Sequence, residues 1–421
     1  MTQRETAATK AEATSACRSC GGAGLVPVLD LGETPLANSL LAEADLARPE
    51  PRFPLALIFC PHCSLVQTTV SVPPEAMFRE YLYFSSFSDT MLRHAEALAG
   101  RLTAARGLGP ESLVVEAASN DGYLLQYYRR AGVPVLGIEP ARNVAEVAER
   151  ERGVPTLCEF FGVELGQKLA AEGRRADVFH ANNVLAHVPD LNGFVGGIAA
   201  LLKPGGLAVI EAPYVDEMVQ NCEFDTIYHE HLCYFSLTAI DALFRRHGLR
   251  VVDVERLDIH GGSLRYFGAP AAEAPEPSPA VATLLADERA RGVDRAEYYR
   301  SFAGRVAALK TNLTALLHRL KAEGKRVCAY GASAKGSTLL NTFGIGREVL
   351  DYAVDRSTYK QGRYIPGVRV PIVAPSRLLE DRPDYTLLLT WNFRDEILEQ
   401  QAEYRRAGGK FIVPVPEPVI V

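Results

Sequence analysis

Four residues whose side chains can take part in acid–base chemistry lie together in the middle of the chain. They are Tyr228, His229, Glu230 and His231, within the segment FDTIYHEHLCYFS. Histidine titrates near neutral pH and a nearby carboxylate can orient or tune it, so the segment is a candidate acid–base cluster. Metal binding by His229 and His231 is an alternative, although no third ligand is evident nearby. A solvated polar loop is a further alternative.

Two CxxC pairs form a second pattern with chemical meaning. Each pair can place two thiolates on one tetrahedral ion, and two pairs complete a four-cysteine site. The spacing predicts a structural zinc ion held by Cys17, Cys20, Cys60 and Cys63. Four protein ligands leave no open position for catalysis. A nucleic-acid-binding zinc ribbon is the alternative, but the segment between the pairs carries few basic residues.

Length and composition are typical of a globular protein with two or three domains. The chain has 421 residues, of which 48% are hydrophobic and 23% charged, and its net charge is −6. This balance disfavours nucleic acid as a partner, and no apolar run is long enough to predict a membrane span. The polar N-terminus lacks the apolar region of a signal peptide. We therefore expect a disordered tail over residues 1–15, a cytoplasmic location and reduced cysteines.

The segment Leu113–Leu125, LVVEAASNDGYLL, has the pattern of a strand, a tight turn and a helix. Such a unit begins a doubly wound domain, whose ligands bind at the carboxyl ends of the parallel strands. The turn contains Asn120, Asp121 and Gly122. Glu139 ends the next strand about 20 residues on, where dinucleotide-binding folds place a carboxylate on ribose hydroxyls.

The acidic residues near this turn indicate the kind of cofactor. Glu116 and Asp121 would repel a phosphate, and the turn lacks the GxGxxG sequence that binds pyrophosphate. The pattern therefore favours the cationic nucleoside S-adenosylmethionine over NAD. An ordinary turn with two solvated acids is the alternative. Asn182 and His187 follow the fourth predicted strand, which places them at the same crevice.

The remaining pattern describes the elements that position these residues. Alternation from Ser112 onward predicts five parallel strands followed by an antiparallel hairpin. The strands are expected at 113–116, 135–139, near 155–158, 176–182, 206–212, 250–256 and 263–267. Residues 75–105 are predicted to be helical and contain the aromatic segment Tyr81–Phe87. This segment could form the wall of a lid over the site or pack in the core between two domains, and both interpretations stay open. Residues 270–300, rich in Ala, Pro and Glu, are predicted to be a linker.

A second unit of strand, small-residue loop and helix follows a long helix predicted at 302–323. Its loop contains Ser333 and Lys335, and a lysine at a helix N-terminus is a plausible phosphate site. A tight strand–helix turn is the alternative. Further strands at 350–355, 385–389 and 411–413 complete a smaller Rossmann-like domain. Trp391 lies on the same rim as the loop, where we expect it to help bind the substrate together with Ser333 and Lys335.

Together these blocks resemble the sugar C-methyltransferases of deoxysugar pathways, such as the tetronitrose and mycarose 3-C-methyltransferases. The resemblance extends from Cys17 to the end of the chain. It rests on the paired CxxC and on SNDGYLL, GIEP, ANNVLAHVP, FDTIYHEHLCYFS, HGGSLR, YGASAKG and TWNFRDEI. It implies an α/β protein with a zinc-binding domain (16–74), a central class I methyltransferase Rossmann-like domain (75–270) and a smaller C-terminal Rossmann-like domain that binds a nucleotide sugar (271–421).

The resemblance also implies roles for individual residues. It places the turn Asn120–Gly122 and Glu139 on the cofactor, with Asn182 beside it, and assigns the diphosphate or nucleotide to Lys335 and its loop. It implies that Tyr228, Glu230 and His231 line the reacting carbon and that Tyr83 and His187 face them. One departure is Ala118, where the family often has a glycine.

The activity implied is C-methylation of a keto NDP-deoxysugar, at C3 of a dTDP-4-keto-hexose, in natural-product pathways such as antibiotic biosynthesis. The carbon beside a ketone is acidic, so a base can form an enolate that accepts the methyl group. We expect His231 to be the base, Glu230 to orient it, and Tyr228 with His187 to lie near the oxyanion. O- or N-methyl transfer and a non-catalytic zinc or nucleic-acid-binding protein are the alternatives. A monomer or weak dimer without a membrane partner is expected.

Overall fold

The computed structural model describes residues 11–73, 77, 84–259 and 261–421, which form a small β domain followed by two doubly wound domains. Among these residues no helix combines the length and apolar character that crossing a bilayer requires. The expected architecture of a small metal-binding domain and two Rossmann-like domains is confirmed.

The N-terminal domain is built from short antiparallel strands. They are β1 (Glu12–Ala13), β2 (Val26–Thr34), β3 (Phe53–Phe59), β4 (Val66–Thr68) and β5 (Val70–Ser71). Side chains of β3 alternate between the core and the surface, as expected for a sheet with one buried face. β1 pairs with β5. The predicted tail is therefore wrong for residues 12 and 13, while residues 1–10 lie outside the described part of the chain.

The central domain is a seven-stranded sheet covered by helices. In chain order its elements are α1 (Asp89–Arg106), β6 (Val114–Ala117), α2 (Leu125–Arg130), β7 (Val135–Ile138), α3 (Arg142–Arg152), β8 (Thr156–Leu157), α4 (Val163–Ala171), β9 (Ala176–Asn182), α5 (Leu191–Leu201), β10 (Leu202–Pro213), α6 (Val215–Gln220), β11 (Cys233–Tyr234), α7 (Leu237–Arg246), β12 (Leu249–Leu257) and β13 (Ser263–Pro270). The order is β12-β13-β10-β9-β6-β7-β8, and β11 lies outside this sheet. The predicted five parallel strands and antiparallel hairpin are confirmed.

The strand order determines where a ligand can bind. Connections run in opposite directions from β6, toward β7 on one side and β9 on the other, so a crevice opens at their carboxyl ends. All residues of β6 and β7 are buried, as parallel strands covered on both faces should be. Within the range predicted to be helical, residues 89–105 belong to α1, where Ser88 caps the helix by accepting from the Met91 amide, whereas residues 74–76 and 78–83 lie outside the described part of the chain.

The predicted linker is wrong for most of its length, because residues 270–300 contain α8 (Pro279–Arg291) and α9 (Ala296–Tyr299). The fully buried Glu288 of α8 accepts hydrogen bonds from the amides of Leu237 and Thr238 at 2.7 and 2.8 Å. A carboxylate at the N-terminus of α7 satisfies amides that have no partner inside that helix. Helix α8 therefore packs as part of the central domain.

The C-terminal domain repeats the doubly wound arrangement at smaller size. Its elements are α10 (Phe302–Ala322), β14 (Val327–Tyr330), α11 (Ala334–Phe343), β15 (Ala353–Val354), β16 (Ile372–Val373), α12 (Arg377–Asp381), β17 (Tyr385–Leu388), α13 (Arg394–Gln400), α14 (Ala402–Arg406), β18 (Lys410–Val413) and β19 (Val419–Ile420). The order is β16-β15-β14-β17-β18-β19, with only β19 antiparallel. The predicted long helix and βα unit are confirmed.

Candidate active site

A cavity of about 700 Å³ lies at the carboxyl ends of both doubly wound sheets, and all three domains contribute to its wall. Predicted site residues that line it are Asn120, Glu139, Asn182, His187, Tyr228, His231, Ser333 and Lys335. Residues more than 200 positions apart in sequence are therefore brought to one site. Tyr83 lies outside the described residues.

Hydrogen bonds fix the tautomer of His231. Its Nδ1 lies 2.8 Å from the carbonyl oxygen of Thr226, which can only accept, so Nδ1 carries the proton of the neutral ring. Nε2 is then the basic nitrogen, and it accepts from the hydroxyl of Tyr228 at 2.6 Å. The two side chains form a proton-transferring pair in the cavity wall.

His187 stands beside this pair. It ends a 3₁₀ turn, Leu185–His187, and its ring packs edge-on against His231 with centroids 4.7 Å apart. Burial lowers the pKa of His187 to about 4, so its imidazole is neutral at physiological pH. A neutral ring next to a base can donate or accept one hydrogen bond without adding charge to the site.

The hydrogen bonds described for His231 and for the Glu230 carboxylate lead to other groups, so the expected role of Glu230 in orienting His231 stays a prediction. Both ring nitrogens of His231 have described partners, Tyr228 and the Thr226 carbonyl, and neither is Glu230. Oε1 of Glu230 instead accepts from Nδ2 of Asn38 at 2.7 Å. The carbonyl of Thr226 is therefore one group that orients the imidazole.

The N-terminal domain holds the segment that carries these residues. β11 adds to its sheet beside β4, through the pairs Cys233–Gln67 and Tyr234–Val66. The ring of His229 lies with Nε2 3.3 and 3.2 Å from the carbonyl oxygens of Phe53 and Pro54. Burial lowers the pKa of His229, so this is a neutral donor that ties the loop to β3. The sequence gave no indication of this tethering contact of His229, because it joins segments about 175 positions apart.

Four cysteines meet in the geometry of a metal site. Their Sγ atoms all lie within 4.8 Å of one another, with Cys17 and Cys63 at 3.5 Å and Cys20 and Cys60 at 3.6 Å. Zinc–sulfur bonds of about 2.3 Å in a tetrahedron place sulfur atoms roughly 3.8 Å apart, so the four residues fit a zinc ion. No histidine joins this group, which is the one metal-ligand cluster in the described part of the chain.

The turn after β6 forms the cofactor side of the cavity. The carboxylate of Glu139 accepts from the amides of Asn120 and Ala141 at 2.9 and 2.8 Å, and burial raises its pKa to about 7. The buried Oδ1 atoms of Asn182 and Asn183 have no hydrogen-bond partner among the described residues, and both residues line the cavity. Acceptors of this kind suit a ligand with ammonium and hydroxyl groups, as S-adenosylmethionine has.

The acidic side chains of the turn do not face that cavity. Glu116 and Asp121, together with Gly122, are not among the described residues that line it. Asp121 accepts from the Ser86 hydroxyl and lies 3.4 Å from Arg152, while burial and nearby carboxylates raise the pKa of Glu116 well above its usual range. Glu116 and Asp121 are therefore not the acids of this pocket, whose lining includes asparagines, Glu139 and further acids such as Glu164 and Asp190.

Ala118 adopts the left-handed backbone conformation, with φ of 50°. An L-residue there costs about 1 kcal/mol or more, whereas glycine adopts it freely. Ala118 lines the cavity, so this departure from a family glycine also adds a methyl group to the cofactor wall.

The predicted phosphate loop lies in the part of the wall that the C-terminal domain contributes. Ser333 caps α11 by accepting from the Gly336 amide at 3.1 Å, and Lys335 follows in the first turn. Nζ of Lys335 lies 4.4 Å from the centre of the Trp391 ring. Burial lowers the pKa of Lys335, and the nearby carboxylates of Asp225 and Glu223 act in the opposite direction. Trp391 lines a second cavity of about 540 Å³ and not the main one.

Comparison with known proteins agrees with this site. Family models match a zinc binding domain at 17–78, a methyltransferase domain at 91–254 and a C-methyltransferase C-terminal domain at 258–416. The C-methyltransferase NovU of Streptomyces niveus is 41% identical over 405 residues, 96% of each chain. A ubiquinone biosynthesis O-methyltransferase of Methylobacterium sp. (strain 4-46) is 34% identical over 107 residues, 24% of this chain and 42% of that protein.

Among solved structures, magnesium protoporphyrin IX methyltransferase of Synechocystis PCC 6803 matches at 14% identity with a TM-score of 0.33, covering 42% of this chain and 78% of that one. The identity to NovU over nearly the full length decides the assignment. The chain belongs to the C-methyltransferase family whose members combine zinc binding, methyltransferase and C-terminal domains. It is an S-adenosylmethionine-dependent methyltransferase with a four-cysteine zinc site.

Proposed function

We propose that the protein transfers a methyl group to carbon of a keto NDP-deoxysugar, at C3 of a dTDP-linked 4-keto-hexose. The Tyr228–His231 pair is the observation that supports this most directly. It places a basic imidazole nitrogen, backed by the Thr226 carbonyl, in the wall of a cavity large enough for a nucleotide ligand and a second substrate.

His231 and Tyr228 divide the proton chemistry. The C3–H bond next to the ketone breaks, its proton goes to Nε2 of His231, and its electrons form the enolate with negative charge on the ketone oxygen. The Tyr228 hydroxyl, released from Nε2, donates to that oxygen, and the neutral His187 ring beside it supplies a second polar contact. Glu139, Asn120 and Asn182 would hold S-adenosylmethionine, which would supply an electrophilic methyl group on a sulfonium and leave as S-adenosylhomocysteine.

The C-terminal wall is the proposed site of the nucleotide. Ser333 and Lys335 at the N-terminus of α11 lie where backbone amides and a cation can meet a diphosphate. Lys360 and Arg356 line the same wall and add positive groups, although each also faces an acid, at 3.6 and 3.5 Å. Ser333 and Lys335 line the same cavity as Tyr228 and His231, so we expect one bound molecule to reach both.

Labelled S-adenosylmethionine and a panel of keto nucleotide sugars test the proposal. We expect the labelled methyl group to be transferred only to sugars that carry the ketone. NMR of the product should show this methyl group on carbon. With S-adenosylhomocysteine in D₂O, wild-type enzyme should exchange the C–H bond beside the ketone. A methyl on oxygen or nitrogen would instead establish an O- or N-methyltransferase on the same scaffold.

A further inference from the structure

The N-terminal domain contributes a residue to the wall of the active site. Asn38 lies in the loop between β2 and β3 and lines the main cavity together with Tyr228 and His231. The loop is also held by the C-terminal domain, because Leu41 and Tyr364 exchange backbone hydrogen bonds of 3.0 and 2.9 Å. Asn38 therefore stands where the three domains meet.

Glu230 anchors the amide of Asn38. The 2.7 Å bond from Nδ2 to Oε1 joins residues that are 192 positions apart in sequence. Glu230 is 4% exposed and is not among the described residues that line the cavity, whereas Asn38 is. A primary amide has two N–H donors and one carbonyl acceptor, and this bond uses a single donor. The arrangement is a buried acceptor behind a polar group at the cavity surface.

We propose that Asn38 binds the acceptor substrate directly and that Glu230 is a positioning residue that acts through it. The inference rests on the proposed function and deepens it, since the contact is a hydroxyl or carbonyl oxygen of the sugar ring. Asn38 takes no proton from carbon, so its loss weakens acceptor binding more than it slows the chemical step.

Steady-state kinetics of the zinc-loaded, full-length enzyme tests this. Asn38→Ala should raise the acceptor KM about tenfold, the effect of one good hydrogen bond, and change kcat less than about threefold. Glu230→Ala should match it, and the double variant should be no worse than either single variant. Glu230→Gln keeps an acceptor oxygen for Asn38 and should stay within about threefold of wild type. Ser39→Ala, at the exposed neighbour, is the control.

Each of three results overturns the proposal: an Asn38→Ala KM close to wild type, multiplicative losses in the double variant, or a Glu230→Gln enzyme as impaired as Glu230→Ala. If wild type methylates no keto sugar, the proposed function fails and Asn38 is tested without an acceptor. Glu230→Ala should then speed hydrogen exchange of residues 36–41 by about threefold or more. Unchanged exchange in that segment overturns the proposal by itself.

Discussion

The partners of a single imidazole determine what this active site can do. With Nδ1 of His231 donating to the Thr226 carbonyl, Nε2 is the only ring atom able to take a proton. A carbonyl cannot give up a proton, so the tautomer stays fixed through the reaction. A carboxylate in the same place would stabilise the protonated ring more strongly, and this site does not use one.

Replacing His231 with asparagine should lower kcat by about 10²–10⁴-fold, the usual contribution of a general base. Asparagine retains a side-chain donor but has no basic nitrogen. Affinity for S-adenosylhomocysteine, measured by calorimetry, should not change. His318→Asn, on the exposed face of α10, is the matched control. Turnover close to wild type in the His231 variant would exclude it as the base.

Cofactor affinity should depend on the ionisation of Glu139. Its pKa is raised to about 7 by burial, so the side chain is largely protonated at about pH 6 and ionised at about pH 8. An ionised carboxylate accepts more strongly from ribose hydroxyls, so affinity for S-adenosylhomocysteine should rise across this range. Glu139→Gln should bind about tenfold more weakly at the upper pH and lose the dependence. A wild-type affinity that is flat with pH would move the ribose contact elsewhere.

At the scale of elements, the zinc-binding domain acts as the support of the catalytic segment. Its sheet gains β11 as a fourth strand, and the ring of His229 is fixed by carbonyls of β3. Arg18, between the first two cysteines, donates to the carbonyls of Thr68 and Val70 at 2.6 and 3.1 Å. A change at the metal therefore reaches the strand next to Tyr228–His231 through one short sheet.

The protein should carry one zinc ion per chain, measured by inductively coupled plasma mass spectrometry. Cys63→Ser should lose the metal and reduce soluble yield, since structural zinc contributes to the free energy of folding. It should also speed hydrogen exchange at β11, which pairs with β4. Cys158→Ser, at an exposed cysteine outside the cluster, should keep the metal. Folded, active protein without zinc would reject the assignment.

Local sequence patterns predicted most strands and helices and the metal site. Features that depend on contacts between segments distant in sequence could not be predicted in this way. Strand periodicity and paired CxxC spacing indicated both sheets and the metal site. The helix α8 carried signals too, Pro279 in its first turn and Gly292 just past its end, but the Ala, Pro and Glu composition favoured a linker. The bond from Asn38 to Glu230 has no local signal, and only burial reveals that Glu116 points away from the cavity.

At the scale of the whole molecule, two doubly wound domains with the same order of parallel strands face each other across one cavity. Their contact includes buried charge. Trp391 of the C-terminal domain donates from Nε1 to Asp225 at 2.7 Å, and Asp225 directly precedes Thr226, whose carbonyl orients His231. Lys335 stacks on the same indole ring. The proposed nucleotide site and the proposed base, His231, are thus linked through the adjacent residues Asp225 and Thr226.

Replacing Lys335 with alanine distinguishes two possible roles of this residue, a ligand of the diphosphate and a positioning residue for Thr226 and His231. As a diphosphate ligand, Lys335 gives binding that is uniform through the reaction, so we expect the nucleotide-sugar KM to rise about tenfold with kcat and S-adenosylhomocysteine affinity little changed.

Lys335 is the cation that offsets the cost of burying the carboxylates of Asp225 and Glu223. Because Lys335→Ala leaves these acids without it, the melting temperature of the variant should fall. Asp225→Asn in the same chain should restore that temperature without restoring KM, while Lys168→Ala, at an exposed lysine of α4, should change neither. A fall in kcat at unchanged KM would instead make Lys335 a positioning residue for Thr226 and His231, and would leave the diphosphate to Lys360 and Arg356.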